Sequence, residues 1–138
     1  MVKRLPKGYR PSKGESFMNG KQREYFRRKL VEWRDELLKD SNQTLQHLQQ
    51  DSAQEPDIAD RASAESERAL ELRTRDRERK LLGKIDDALK RIELGDYGFC
   101  EETGEPISLK RLEARPIATL SIEAQERHER RERAYRDE

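Results

Sequence analysis

The sequence predicts a mainly α-helical protein: a long antiparallel helical hairpin, of coiled-coil type, projecting from a small base that holds a zinc-finger-like module and a C-terminal helix. Three observations carry that prediction. The chain has 138 residues, 43% of them charged and only 32% hydrophobic, too little apolar material for a large buried core. No glycine or proline occurs from residue 21 to residue 55, and the apolar residues there recur three and four apart. A second stretch with apolar residues at helical spacing follows Pro56 and runs to Gly95.

Residues 1–20 form a basic arm. Lys3, Arg4, Lys7, Arg10 and Lys13 precede the first acid, Glu15, and are interrupted by Pro6, Gly8, Pro11 and Gly14, a composition that suits a mobile or draped segment. The hairpin occupies residues 21–95. In its first helix Tyr25 or Phe26, Leu30, Trp33, Leu37, Leu45 and Leu48 make a narrow apolar seam, which thins near Asp40 and Ser41. Pro56 disfavours helix in the residue before it, so this helix ends there or earlier.

The second helix opens on Asp57 and Asp60, placed where an N-cap and a first-turn acid meet free backbone N–H groups. Its predicted seam is Ala62, Ala69, Leu72, Leu82, Ile85, Leu89 and Ile92, and Gly95 is a left-handed stop. Neither seam can be buried alone, so the two helices pair, giving a rod on the order of 50 Å long at about 1.5 Å per residue. Its tip lies at residues 54–62.

Residues 96–120 mix turn residues with short apolar groups, as a small knuckle does, and residues 121–138 read as a solvated helix laced by charge pairs. Cys100 and Thr103 have the spacing of half a zinc knuckle, and Ser121 and Ala124 fall where its second half belongs. One thiolate cannot make a tetrahedral zinc site, so no metal is expected. The module must then hold by packing of Tyr97, Phe99, Ile107, Leu109, Leu112, Ile117 and Leu120, with Cys100 as a small buried hydrophobe.

Several functional classes fall away. A net charge of +1 argues against a uniformly basic nucleic-acid binder. No apolar run of about eighteen residues and no secretory leader is visible, so a cytoplasmic protein is expected. His47 and His128 sit in charged helices away from any nucleophile, and no phosphate-cradling glycine loop occurs, so catalysis is not expected. What remains is local charge. Residues 54–72 carry six acids against Arg61 and Arg68, whereas residues 73–84 carry six bases against Asp76 and Glu78. The hairpin thus has an acidic end and a basic collar. A solvated face of paired charges explains the collar equally well, and helix capping explains Asp57 and Asp60.

The runs Pro56-Asp57-Ile58-Ala59-Asp60-Arg61-Ala62, Leu70 to Leu81, Asp96-Tyr97-Gly98-Phe99-Cys100 and Arg111 to Pro116 closely resemble the DksA/TraR family over roughly residues 17–125. Members are bacterial transcription factors that bind RNA polymerase without sequence-specific DNA contact. Their coiled coil enters the polymerase secondary channel, and with guanosine tetraphosphate (ppGpp) they repress ribosomal RNA promoters and activate some biosynthetic ones. The resemblance implies that Asp57, Asp60 and Ala62 are the functional tip near the polymerase active centre. It implies that Arg73, Arg77 and Lys80 dock on polymerase, and that Leu81, Lys84, Arg115 and Glu123 belong to a ppGpp site shared with polymerase.

Two departures from the family stand out. Many members carry lysine where this chain has Gln125, and four cysteines where it has Cys100, Thr103, Ser121 and Ala124. A monomer without tightly bound cofactor is expected, with no membrane partner. Two other readings keep the hairpin: a secondary-channel transcript-cleavage factor whose tip acids hold a metal, and a structural coiled-coil adaptor.

Overall fold

The computed structural model describes residues 4–51 and 58–136, the side chains of 48–51 and 58–60 excepted. Among the described residues the secondary structure is four helices, α1 (Gly20–Asp51), α2 (Ile58–Leu94), α3 (Leu109–Ala114) and α4 (Ile122–Arg136), and no strand. The helix ends follow local chemistry. Asn19 Oδ1 accepts the Gln22 N–H at 2.9 Å, and Gln22 Oε1 reaches back to the Met18 N–H at 2.8 Å, a variant of the reciprocal capping box. Gly95, at φ 85°, ends α2 in a Schellman motif: its N–H bonds the Ile92 carbonyl at 3.3 Å and the Asp96 N–H bonds the Arg91 carbonyl at 2.9 Å. Ser108 and Ser121 cap α3 and α4 through their hydroxyls, each at 3.2 Å.

The chain divides into two compact units, Met1–Val31 with Asp87–Glu138, and Glu32–Asp86. In the first, Phe26, Leu30, Ile107, Leu112 and Ala124 are wholly buried, with Met18, Ala88, Ile92, Tyr97, Cys100 and Ala118 nearly so. Aromatic edges tie its pieces together: Phe17 meets Phe99 at 5.4 Å and Tyr97 lies 5.7 Å from Phe26, centroid to centroid. Phe99 and Pro106 pair as an isolated antiparallel bridge; of the expected packing set Tyr97, Ile107 and Leu112 are buried, and Phe99, Leu109, Ile117 and Leu120 half-buried.

Residues 9–18 of the basic arm are draped rather than loose. Tyr9 donates to Glu15, and the wholly buried Gln22 holds the arm by accepting from Met18 and donating to the Ser12 carbonyl. At Gly98 a side chain would be strained by the φ of 91° and tightly placed, with Met18 Cγ 3.0 Å and Phe17 Cζ 3.2 Å from its Cβ.

In the second unit α1 and α2 run antiparallel: Arg34 Nε bonds Asp86 Oδ1 and His47 Nδ1 meets Glu71 Oε1, both at 2.8 Å, so partners descend α2 as they ascend α1. The predicted α2 seam is corrected in its distal half. Ala62, Ala69 and Leu72 are exposed, Leu72 at 51%. The inward positions are instead Ala64, Arg68, Glu71, Arg75, Glu78 and Leu82, which extend the 4–3 spacing of Ile85, Leu89 and Ile92 backwards. Four consecutive seam positions are therefore charged. The heptad register set by the proximal apolar residues outweighs the pull of the few apolar residues on the neighbouring face.

Candidate functional site

Asp57 lies outside the described residues. Asp60 stands in the first turn of α2 and Ala62, two residues further, is exposed. Next along α2 comes the collar. Arg73 and Arg77 are exposed and form no ion pair among the described residues, whereas Asp76 binds Arg79 at 2.8 Å and Lys80 at 3.2 Å. Those two partners hold the Asp76 carboxyl below its usual range, Lys80 contributing most. The collar is thus part solvated pairing and part free guanidinium. Arg73 and Arg77 are two of its cations open to a partner.

Leu81 is half-buried and Lys84 exposed, both in the second unit, while Arg115 and Glu123 are exposed residues of the first. The backbone of Arg115 is held firmly. Its N–H bonds the Arg111 carbonyl at 2.7 Å, its carbonyl accepts from Ala118 at 3.0 Å, and the next carbonyl, of Pro116, accepts the buried Tyr97 hydroxyl at 2.7 Å. Glu113, two residues earlier, takes the Tyr25 hydroxyl and Lys29 Nζ, the latter at 2.9 Å. Burial raises the Glu113 carboxyl, but Tyr25 and Lys29 outweigh it and bring it below its usual range, while burial and this acid push Tyr25 up to about 12. A cation is thereby presented to solvent from a fixed frame. Glu123 sits in the first turn of α4, and Gln125 binds Glu129 at 3.2 Å.

The four knuckle positions come together without forming a metal site. The Cys100 sulfur is buried, which raises its pKa, but the Thr103 hydroxyl and the backbone N–H groups of Ser121, Thr103 and Glu102 point at it and bring the thiol from 9.0 down to about 6. Cys100 is buried, as expected from sequence, and the polar groups around its sulfur favour the thiolate. Zinc does not fit here. Cys100 supplies one thiolate, the Thr103 hydroxyl accepts the Glu105 N–H at 3.2 Å, the Ser121 hydroxyl accepts the Ala124 N–H, and Ala124 has no donor atom. Among the described residues no other acid, His or Cys cluster suits a metal. His47 and His128 are exposed and engage Glu71 and Glu132.

This arrangement sets a pH expectation. A folded-state thiol below its ordinary value contributes stability fully above pH 9.0, and loses it as pH falls through about 6. Wild type should therefore outmelt Cys100→Ser by a margin that shrinks between about pH 8.5 and about pH 5.5. Thermal melts at both pH values check this, and a chelator should leave the wild-type midpoint unmoved.

Comparisons with known proteins agree with this geometry. Residues 22–92 match the family described as DnaK suppressor protein DksA, N-terminal domain, and residues 95–130 match the prokaryotic dksA/traR C4-type zinc finger. An RNA polymerase-binding transcription factor DksA of Caulobacter vibrioides is 64% identical over 130 residues, 94% of this chain and 92% of the relative. The protein of that name in Escherichia coli is 46% identical over 125 residues, 91% and 83% of the two chains. Among solved structures, transcription factor DksA2 from Pseudomonas aeruginosa matches with a TM-score of 0.81 and 47% identity, covering 85% of this chain and 90% of that one. No helix among the described residues is long and apolar enough to cross a membrane.

Proposed function

The chain belongs to the DksA family, and on that premise we propose that it is a cytoplasmic, monomeric, non-catalytic regulator of RNA polymerase. The hairpin enters the secondary channel, Asp57, Asp60 and Ala62 act near the active centre, and Arg73, Arg77 and Lys80 dock it. Regulation follows from differential binding of promoter-complex states rather than from bond chemistry. With ppGpp, the protein represses ribosomal RNA promoters and activates some biosynthetic ones, without reading DNA sequence itself.

The observation that carries this reading is 64% identity, over 94% of the chain, to a protein named for polymerase binding. Exposed Arg73 and Arg77 on α2 support it, because free guanidinium groups suit carboxylates of a large partner. For the effector, Leu81, Lys84, Arg115 and Glu123 are assigned jointly with polymerase, Lys84 and Arg115 supplying charge to the polyphosphate. Gln125 in place of a lysine removes one such cation, so the response to ppGpp should be weaker than in lysine-bearing relatives.

Transcription in vitro from a ribosomal RNA promoter tests the reading. The expected result is repression that deepens when ppGpp is added. No effect on open-complex lifetime, in either condition, would contradict it. Shortening of RNA in stalled complexes that depends on Asp57 and Asp60 would instead favour a cleavage factor.

A further inference from the structure

Arg115 is the first residue past α3, with an extended backbone (φ −141°, ψ 84°) and an exposed side chain. A helix of six residues has too few internal hydrogen bonds to hold its own end in place, so the position of Arg115 depends on tertiary anchors. After Arg115 these are the Tyr97 hydroxyl on the Pro116 carbonyl at 2.7 Å and Arg111 Nε on the Leu120 carbonyl at 2.8 Å. Before it they come from α1. Lys29 Nζ donates to the Glu113 carbonyl at 2.8 Å and to its carboxylate at 2.9 Å, and the Tyr25 hydroxyl donates to the same carboxylate oxygen. Tyr25 and Lys29 stand one turn apart on α1, so they share a face, and Lys29 Nζ lies 6.0 Å from the centre of the Tyr25 ring. All of these residues belong to the first unit.

The two α1 anchors are polar and half-buried, whereas the apolar core of the same unit, Phe26, Leu30, Ile107 and Leu112, is wholly buried. Contacts of that kind add little to folding beside the core, but two donors converging on one carboxylate fix direction. Direction is what a guanidinium needs. It grips a phosphate through two parallel N–H bonds, a geometry that tolerates little misplacement. Holding the cation in place before the ligand arrives also removes the cost of ordering it on binding.

We propose that Tyr25 and Lys29, acting through Glu113, are positioning residues for the effector site, fixing the segment that carries Arg115 so that its guanidinium meets a polyphosphate ready-placed. This rests on the reading above that assigns Arg115 to ppGpp. Neither α1 side chain touches the ligand; both act by way of residue 113.

The test is a ppGpp titration of transcription in vitro from a ribosomal RNA promoter, with full-chain variants. Tyr25→Phe removes one hydroxyl and no charge, and Lys29→Met removes both bonds to Glu113. The ppGpp concentration for half-maximal effect should rise about threefold in the first and about fivefold in the second, with repression in the absence of ppGpp unchanged. Arg115→Ala should raise it at least about tenfold, and adding Lys29→Met to Arg115→Ala should change it by less than about twofold, since a residue that acts through Arg115 has nothing left to position. Full additivity in the double variant would overturn the proposal by making Lys29 an independent ligand contact. Loss of repression without ppGpp in either α1 variant would overturn it by assigning the contacts to folding. Wild-type responses of Tyr25→Phe and Lys29→Met, with Arg115→Ala impaired, would refute the positioning role and leave the effector site standing. A wild type that ignores ppGpp, or Arg115→Ala that responds as wild type does, would strike the effector site itself and the proposal with it.

Discussion

Asp60→Asn is expected to abolish repression of a ribosomal RNA promoter while affinity for core polymerase stays within about twofold, a difference near 0.4 kcal/mol. The substitution is nearly isosteric and removes one charge. Residue 60 lies in the first turn of α2, where loss of a negative charge beside the helix N-terminus costs only about 0.3–1 kcal/mol. The hairpin should therefore still fold. Docking is assigned to Arg73, Arg77 and Lys80, all more than two helical turns along α2, so binding should persist. Parallel measurement of polymerase affinity and open-complex lifetime separates the two functions. Loss of affinity would reassign the acid to docking or folding.

Leu30→Ala is expected to have the largest effect on stability. Leu30 is wholly buried in the unit that also buries Phe26, Ile107 and Leu112. Removing a buried leucine side chain costs about 2–5 kcal/mol, enough to lower the melting midpoint by about 10 °C in a chain of this size. Leu72→Ala, by contrast, should stay within about 0.5 kcal/mol of wild type, because Leu72 is 51% exposed. Circular-dichroism melts on both variants decide the matter. Equal losses would mean that the apolar residues of α2 are packed as the sequence first suggested.

That contrast shows where sequence was sufficient. Helix ends were legible because their signals are local: Pro56 near the end of α1, Gly95 after α2, and Ser121 before α4 each impose a backbone or capping requirement on their own neighbours. The proximal seam was legible because Phe26, Leu30, Ile85, Leu89 and Ile92 are apolar at helical spacing. The distal seam was not, because a hydrophobic pattern cannot find inward residues that are charged. Continuing the 4–3 spacing back from Ile85 would have reached Glu78, Arg75, Glu71 and Arg68.

The site divides in the same manner. The collar and the acidic stretch are visible as charge blocks, and the knuckle-like spacing of Cys100, Thr103, Ser121 and Ala124 is visible as well. The polar surroundings that lower the Cys100 thiol were hidden because most of those groups are backbone N–H groups, which every residue type carries. The anchoring of the Pro116 carbonyl by Tyr97 and of Glu113 by Tyr25 and Lys29 was hidden for another reason. Those partners are 19, 88 and 84 residues away in sequence.

The polymerase reading depends most on where residues 57–62 go when the protein binds. A photoreactive phenylalanine analogue in place of Ala62, an exposed residue, measures this directly on the complex with core polymerase. The expected product is a crosslink to the large subunits inside the secondary channel, beside the active centre, competed away by unlabelled wild type. A protein that binds with undiminished affinity yet crosslinks only to the outer surface of the enzyme would contradict it.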